Sequence, residues 1–161
     1  MDRGSITQYI AETFPGVEVL TPTDGVGAGD TFFMYDPDRS LDPQRKFPFA
    51  TIVTKDYGEF DHASNLDRPD VFRLNVGVSR DTYQSLFGPL PAPPPSGEAV
   101  ATGHDFAALD ELLPHPVYAP QAWVCVLNPS EATFERVRPL LAEAYQRAVR
   151  RHGTGRREEE S

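Results

Sequence analysis

Prolines interrupt this sequence so often that they limit the length of most regular elements. There are 16 of them in 161 residues, and some stand beside glycine, as in Pro15-Gly16 and Gly88-Pro89. Proline lacks a backbone N–H and blocks a continuing helix, so this spacing favours short elements joined by many loops. The chain therefore favours a loop-rich fold over a helical bundle.

Three segments have the apolar spacing and the flanking residues of helices. Residues 5–14 begin with a capping-box pattern at Ser5 and repeat apolar residues at helical intervals. A second, short helix follows Ser79, which is a suitable N-cap. The last helix, over residues 133–152, carries a long apolar stripe, and Pro139 within it predicts a kink or a break into two pieces.

Segments rich in β-branched and aromatic residues separate these helices. They predict strands at residues 17–20, 31–35, 49–54, 71–78, 117–118 and 122–127. A short helical turn is predicted over residues 106–113. Short links between strands favour antiparallel pairing, so we predict an α+β fold, an antiparallel sheet of about six strands with the N- and C-terminal helices packed on one face. We expect residues 1–152 to form a single domain and residues 153–161 a disordered polar tail.

Charge and cysteine content argue against several classes of protein. The net charge is -9, which argues against binding of duplex DNA because a basic protein face supplies most of the affinity for DNA. The single cysteine, Cys125, rules out an internal disulfide and a four-thiolate zinc site. There is no signal-peptide pattern and no apolar run of about 20 residues, so we expect a cytoplasmic protein that does not cross a membrane.

A glycine-rich string, Gly27-Ala28-Gly29-Asp30-Thr31-Phe32, resembles the anion-hole signature of ribokinase-type sugar kinases. In such sites the glycines let backbone amides at a helix N-terminus approach a phosphate. Here the residues that follow Asp30 are typical of a strand, and no nucleotide-binding segments accompany the string. We therefore interpret it as a glycine loop that joins two strands.

The loop that precedes the fourth predicted strand is the strongest candidate for a functional site. It concentrates five polar side chains in eight residues, namely Asp61, His62, Asn65, Asp67 and Arg68. Loops of this composition often carry binding residues on a rigid scaffold. The alternative is structural, because Asn and Asp also stabilise turns and arginine pairs with nearby carboxylates.

Two polar residues of the fourth strand extend this candidate site. Arg73 and Asn75 alternate with apolar residues and so share the other face of the sheet, which is either solvated or open to a ligand. Lys55, Tyr57 and Trp123 are further candidates for the lining of such a face. We expect His62, Arg68 and Arg73 to face one concavity that takes an anion or a planar polar ligand.

The leading functional hypothesis is a binding or accessory module whose ligand or partner, a small molecule or a protein, is unknown. An enzyme that uses His62 as a base with Asp61 or Asp67 is the first alternative. Weak nucleic-acid binding through the C-terminal arginines is the second. No cofactor and no metal site is predicted, since the histidines lack the spacing of metal ligands. The oligomeric state is left open.

Several segments resemble a family of short, uncharacterised actinobacterial proteins known as a domain of unknown function. The similar strings lie at residues 49–57, 63–69, 72–78 and 115–124. The C-terminal pattern is more distantly similar to MmcQ/YjbR-like proteins, in a Trp-bearing strand, a turn and a helix containing Leu-Leu-x-x-Ala-Tyr. That resemblance implies an antiparallel α+β fold of the cystatin-like or frataxin-like type and a proposed role in DNA binding. It supplies no catalytic residue.

Overall fold

The computed structural model describes residues 1–42 and 47–160 of the chain. Its helices and strands follow one another in the order α1 (Arg3–Thr13), β1 (Val17–Leu20), β2 (Thr31–Tyr35), β3 (Ala50–Val53), β4 (Arg73–Gly77), α2 (Arg80–Phe87), β5 (Leu112–Pro114), β6 (Trp123–Leu127) and α3 (Glu131–Glu160). A single turn of 3-10 helix at Ala119–Gln121 leads into β6.

These strands form one antiparallel sheet in the order β1-β2-β3-β4-β6-β5. In its middle, Leu74 of β4 lies between Ile52 of β3 and Val126 of β6. Because side chains alternate along each strand, these three residues point to one face, and Arg73 and Asn75 point to the other. The sheet and the helices at both ends confirm the predicted α+β fold.

Helices α1 and α3 cover the face that carries Leu74. The large apolar side chains buried there come from both helices and from four strands, and include Ile6, Ile10, Phe33, Ile52, Leu74, Val124, Phe134 and Leu141. Burial of this apolar surface is the main favourable contribution to folding. The helix-covered face is therefore the core of the molecule, and the opposite face is left to loops.

Two features of the helices differ from the predictions. Asp2, and not Ser5, caps α1, since its carboxylate accepts a hydrogen bond from the Ser5 backbone N–H at 2.8 Å. Helix α3 runs through Pro139 as one helix, so the predicted break into two pieces is wrong. Pro139 lies on the exposed side of α3, where water can satisfy the carbonyl that loses its intrahelical partner. By contrast, Ser79 caps α2 as predicted.

The segment around residue 115 also differs from the predictions. Residues 117–118 form a turn and no strand, while Leu112–Pro114 form β5 where a helical turn was predicted. The turn is explained by His115, whose ring accepts hydrogen bonds from the backbone N–H groups of both turn residues. Pro114 is tolerated in β5 because β5 is an edge strand.

Helix α3 continues past residue 152 to Glu160. The division into one domain and a polar tail stays a prediction. Among the helices of the described ranges, none is long and apolar enough to cross a membrane.

Candidate functional site

A large cleft lies on the face of the sheet that the helices do not cover. Its volume is about 1120 Å³, slightly above the roughly 300–1,000 Å³ that small-molecule sites usually occupy. Its walls are mostly apolar, and six aromatic side chains contribute to them, Phe32, Phe47, Tyr57, Phe60, Tyr118 and Trp123. Polar side chains line it as well, among them Thr51, Lys55, Asp61, Asn75 and His115.

A buried ion pair lies under the floor of the cleft. Arg73 is only 1% exposed, and its guanidinium binds the Asp61 carboxylate at two points, at 2.6 and 3.1 Å. The same guanidinium donates to the Ser64 hydroxyl at 2.9 Å. A tight turn delivers Asp61, because the backbone N–H of Tyr57 donates to the Asp61 carbonyl at 2.9 Å. A charge without such partners would be very costly to bury, so this pairing is what permits Arg73 in the middle of the sheet.

The ion pair continues into a row of hydrogen bonds across the sheet. Nε of Arg73 donates to Oδ1 of Asn75 at 2.8 Å, and Nδ2 of Asn75 donates to the Thr51 hydroxyl at 2.9 Å. This fixes the orientation of the Asn75 amide. Asn75 and Thr51 are both buried and both line the cleft. The row therefore presents polar groups in a set orientation beneath apolar walls.

His115 is held at the side of this row in one protonation state. Its Nδ1 accepts hydrogen bonds from the backbone N–H groups of Val117 and Tyr118, at 3.0 and 2.9 Å. Nδ1 must therefore be unprotonated, and the ring proton lies on Nε2. Burial, and next the charge of Arg73, lower the pKa of His115 well below its usual range, which keeps the ring neutral. This residue was not among the predicted site residues.

The glycine loop closes one end of the cleft and holds Asp30 under it. Asp30 is fully buried and accepts hydrogen bonds from the backbone N–H of Thr54 at 2.8 Å and from the Tyr57 hydroxyl. Lys55 bonds both Asp30 and the Ala28 carbonyl. Burial, and then the bond to Asp30, raise the pKa of Tyr57 and keep it a donor. Asp30 thus anchors a loop before β2, which agrees with the structural interpretation of the glycine string.

Gly77 makes room for the single tryptophan of the chain. It pairs with Trp123 across β4 and β6. A Cβ atom at residue 77 would lie 3.0 Å from Cε2 and Cζ2 of the indole, which is closer than most Cβ contacts in proteins. The absence of a side chain therefore lets Trp123 lie across the strand and form one wall of the cleft.

The other predicted site residues lie away from the cleft. His62 is exposed, with Nε2 2.9 Å from the Gly97 carbonyl, beside a crevice of only about 10 Å³. Arg68 donates to backbone carbonyls, those of Ser64, Asn65 and Ala107. The expectation that His62, Arg68 and Arg73 face one concavity is therefore wrong. The loop folds back on itself, and its carbonyl groups at Ser64 and Asn65, together with that of Ala107, accept the hydrogen bonds that Arg68 donates.

Asp67 and Asn65 shape the loop. Oδ1 of Asp67 accepts a hydrogen bond from the backbone N–H of Asp56 at 3.3 Å. Asn65 has a φ of 51°, in the left-handed region that asparagine tolerates in turns. Of the seven residues predicted for the site, the structure thus brings three together, Asp61, Arg73 and Asn75.

The cleft offers little for covalent or metal chemistry within the described residues. The thiol of Cys125 is buried, and burial raises its pKa to about 12, so it is a poor nucleophile. Asp61 is held by Arg73, and Nδ1 of His115 by backbone amides. No group of three His, Cys, Asp or Glu side chains in the described part of the chain is arranged to hold a metal ion.

Comparison with known proteins identifies a family without a known activity. Residues 1–159 match a family described as "Family of unknown function (DUF6194)". Neither the curated proteins nor the solved structures give a significant match. The actinobacterial origin and the similarity to MmcQ/YjbR-like proteins stay predictions. Since the match spans nearly the whole sequence, the chain belongs to DUF6194, a family of unknown function.

Proposed function

We propose that this protein binds a small, planar, mainly aromatic molecule in the cleft on the uncovered face of the sheet. The observation that carries the proposal is that six aromatic side chains of the described residues line the same cleft as a row of fixed polar groups. Aromatic walls bury large areas of a flat ligand and favour stacked or edge-on contacts. A few oriented polar groups at the bottom of such a pocket give specificity.

Three exposed aromatic side chains of the cleft lining, which we call the rim, support the same proposal. Phe47, Phe60 and Tyr118 are 64%, 54% and 42% exposed, although large aromatic side chains are usually more buried. The rings of Phe60 and Tyr118 are 6.1 Å apart, within the range of a stabilising aromatic pair. Apolar surface concentrated at the mouth of a cleft is typical of a binding site.

Catalysis through His62 is less well supported than binding. Nε2 of His62 bonds a backbone carbonyl, and the two carboxylates proposed as its partners are engaged elsewhere, Asp61 by Arg73 and Asp67 by a backbone amide. A general base needs hydrogen-bond reach to the proton that it removes. Ligand binding in the cleft is consistent with the functional hypothesis from the sequence, a cytoplasmic, bacterial binding or accessory module.

The binding proposal is tested with the indole of Trp123 as reporter. This tryptophan is the only one in the chain, so its indole N–H gives one resonance in a proton–nitrogen correlation spectrum. We expect 2-naphthamide to shift that resonance saturably, with a Kd below about 1 mM. Gly77→Ala should weaken binding about tenfold, because overpacking pushes the indole into the cleft.

The matched control is Gly153→Ala. Gly153 lies in α3, and an added Cβ there would meet nothing within 4 Å. This variant should bind 2-naphthamide as the wild-type protein does. Failure of 2-naphthamide and of similar two-ring probes to move the Trp123 resonance of the folded wild-type protein would refute the proposed function.

Duplex DNA is not the proposed ligand. A net charge of -9 opposes the phosphate backbone, and the lining of the cleft is mostly apolar. In fluorescence anisotropy at physiological salt we expect a labelled duplex to bind with a Kd above about 100 μM, at or beyond the weak end of non-specific DNA binding. Sub-micromolar affinity would contradict this and would favour the DNA-binding role implied by the MmcQ/YjbR resemblance.

A further inference from the structure

His115 has a buried hydrogen-bond donor that its surroundings do not satisfy. The donor is the N–H at Nε2, because Nδ1 accepts two backbone hydrogen bonds and cannot carry the proton. Among the described residues, the polar neighbour recorded for Nε2 is Nη2 of Arg73, at 3.3 Å. Both of these nitrogens are donors, so the contact is no hydrogen bond. His115 is only 2% exposed, and an unsatisfied donor at that depth is costly.

This donor lies at the cleft. His115 is one of its lining residues, and because Nδ1 faces the turn at residues 117–118, Nε2 lies on the other side of the ring, 3.3 Å from the Arg73 guanidinium that bonds Asp61 and Asn75. The ring plane is also fixed, since His115 packs against Tyr118 with centroids 5.0 Å apart. An acceptor on a bound molecule would meet a donor whose direction is set before binding, which lowers the entropic cost of the interaction.

The charges around the floor argue for an uncharged ligand. In the described part of the chain, two cations, Lys55 and Arg73, stand beside three carboxylates, those of Asp30, Asp56 and Asp61. Both cations are already paired, Arg73 with Asp61 and Lys55 with Asp30. Among the described residues, an anion that entered this cleft would find a slightly negative surrounding and no cation that is not already paired with a carboxylate. Of the two ligand classes expected from the sequence, a planar polar molecule fits and an anion does not.

We infer that the ligand is an uncharged aromatic molecule with a carbonyl oxygen or ring nitrogen that accepts a hydrogen bond from Nε2 of His115. The inference rests on the proposed binding function and adds the chemical class of the ligand. The aromatic part lies between Trp123 and the rim rings, and its acceptor is directed at the floor. An aromatic amide and a neutral heteroaromatic ring both satisfy this description.

Three probes of one shape separate charge from hydrogen bonding. They are 2-naphthamide, which is neutral and has an acceptor, 2-naphthoate, which is an anion, and 2-methylnaphthalene, which has no acceptor. With the Trp123 resonance as reporter, we expect 2-naphthamide to bind about tenfold more tightly than 2-naphthoate. The reason is that the excess of carboxylates at the floor of the cleft repels the carboxylate of 2-naphthoate.

His115→Asn is the variant that isolates the donor. The Asn side-chain oxygen can take the place of Nδ1 and accept from the two backbone N–H groups, but no group replaces the Nε2 donor. We expect 2-naphthamide to bind about tenfold more weakly to this variant, and 2-methylnaphthalene to change less than about twofold. Equal losses for both probes would show that the variant damages the cleft as a whole and would overturn the assigned hydrogen bond.

The tautomer of His115 can be measured in the wild-type protein, so this test does not require that the His115→Asn variant folds. Long-range proton–nitrogen spectra report the tautomer of each of the four histidines. We expect His115 to show the Nε2-protonated form, and its Nε2 signal to move with 2-naphthamide and stay in place with 2-methylnaphthalene. A protonated Nδ1, or a stronger preference for 2-naphthoate, would overturn the inference while leaving the proposed function standing. No response to any probe would overturn both.

Discussion

Replacing Arg73 with methionine is expected to lower the free energy of unfolding by about 3–5 kcal/mol, the usual cost of removing one partner of a buried ion pair. Arg73 is 1% exposed, and its partner Asp61 is 6% exposed. Without the guanidinium, the Asp61 carboxylate stays buried with no counter-charge, and Asn75 and Ser64 lose a donor. Urea denaturation followed by circular dichroism measures the change.

A double-mutant cycle shows how much of that loss belongs to the pair. Asp61→Asn removes the charge and keeps the shape of the side chain, and the double variant should be more stable than the sum of the single losses predicts, because neither charge is then left alone. The control is Arg80→Met at an exposed residue of α2, which should change stability by less than about 0.5 kcal/mol. A similarly small effect of Arg73→Met would mean that the pair is solvated.

The sheet could be predicted from sequence because its signals are local. The alternation in β4 puts Leu74 and Val76 in the core and Arg73 on the other face, as the period of two requires. The cap at Ser79 likewise depends on neighbours three residues away. Such features need no knowledge of the rest of the chain.

The candidate site could be predicted only in part, because long-range contacts that are not visible in the sequence form it. Arg73 was expected on a solvated or open face, but the loop before β4 covers it and brings Asp61 to its guanidinium. The sequence carries no sign of the contacts of His115, because its partners are backbone N–H groups, which every residue except proline has. Its position between Pro114 and Pro116 was a signal of rigidity, and this could have placed it among the candidates.

His62 and Arg68 were chosen for their residue types, which suit either a ligand or the chain itself. In the folded loop, backbone carbonyls satisfy both side chains. A carbonyl partner is available in every loop, so a polar residue in a loop is weak evidence for a site. The cleft was recognisable only once the aromatic residues of separate segments, such as Phe32, Phe60 and Trp123, were seen to surround it.

Leu141→Ala should lower the free energy of unfolding by about 2–5 kcal/mol and leave the cleft intact. Leu141 is fully buried in α3, in the core between α1, α3 and the sheet, so truncation removes apolar contacts and leaves a cavity. Leu109→Ala, at a leucine that is 48% exposed, is the matched control and should cost less than about 1 kcal/mol. Because Leu141 and Trp123 lie on opposite sides of the sheet, the folded variant should bind 2-naphthamide with wild-type affinity. An unchanged free energy of unfolding in urea would show that α3 does not pack on the sheet. A loss of 2-naphthamide binding by the fully folded Leu141→Ala variant would show that the two faces of the sheet are coupled.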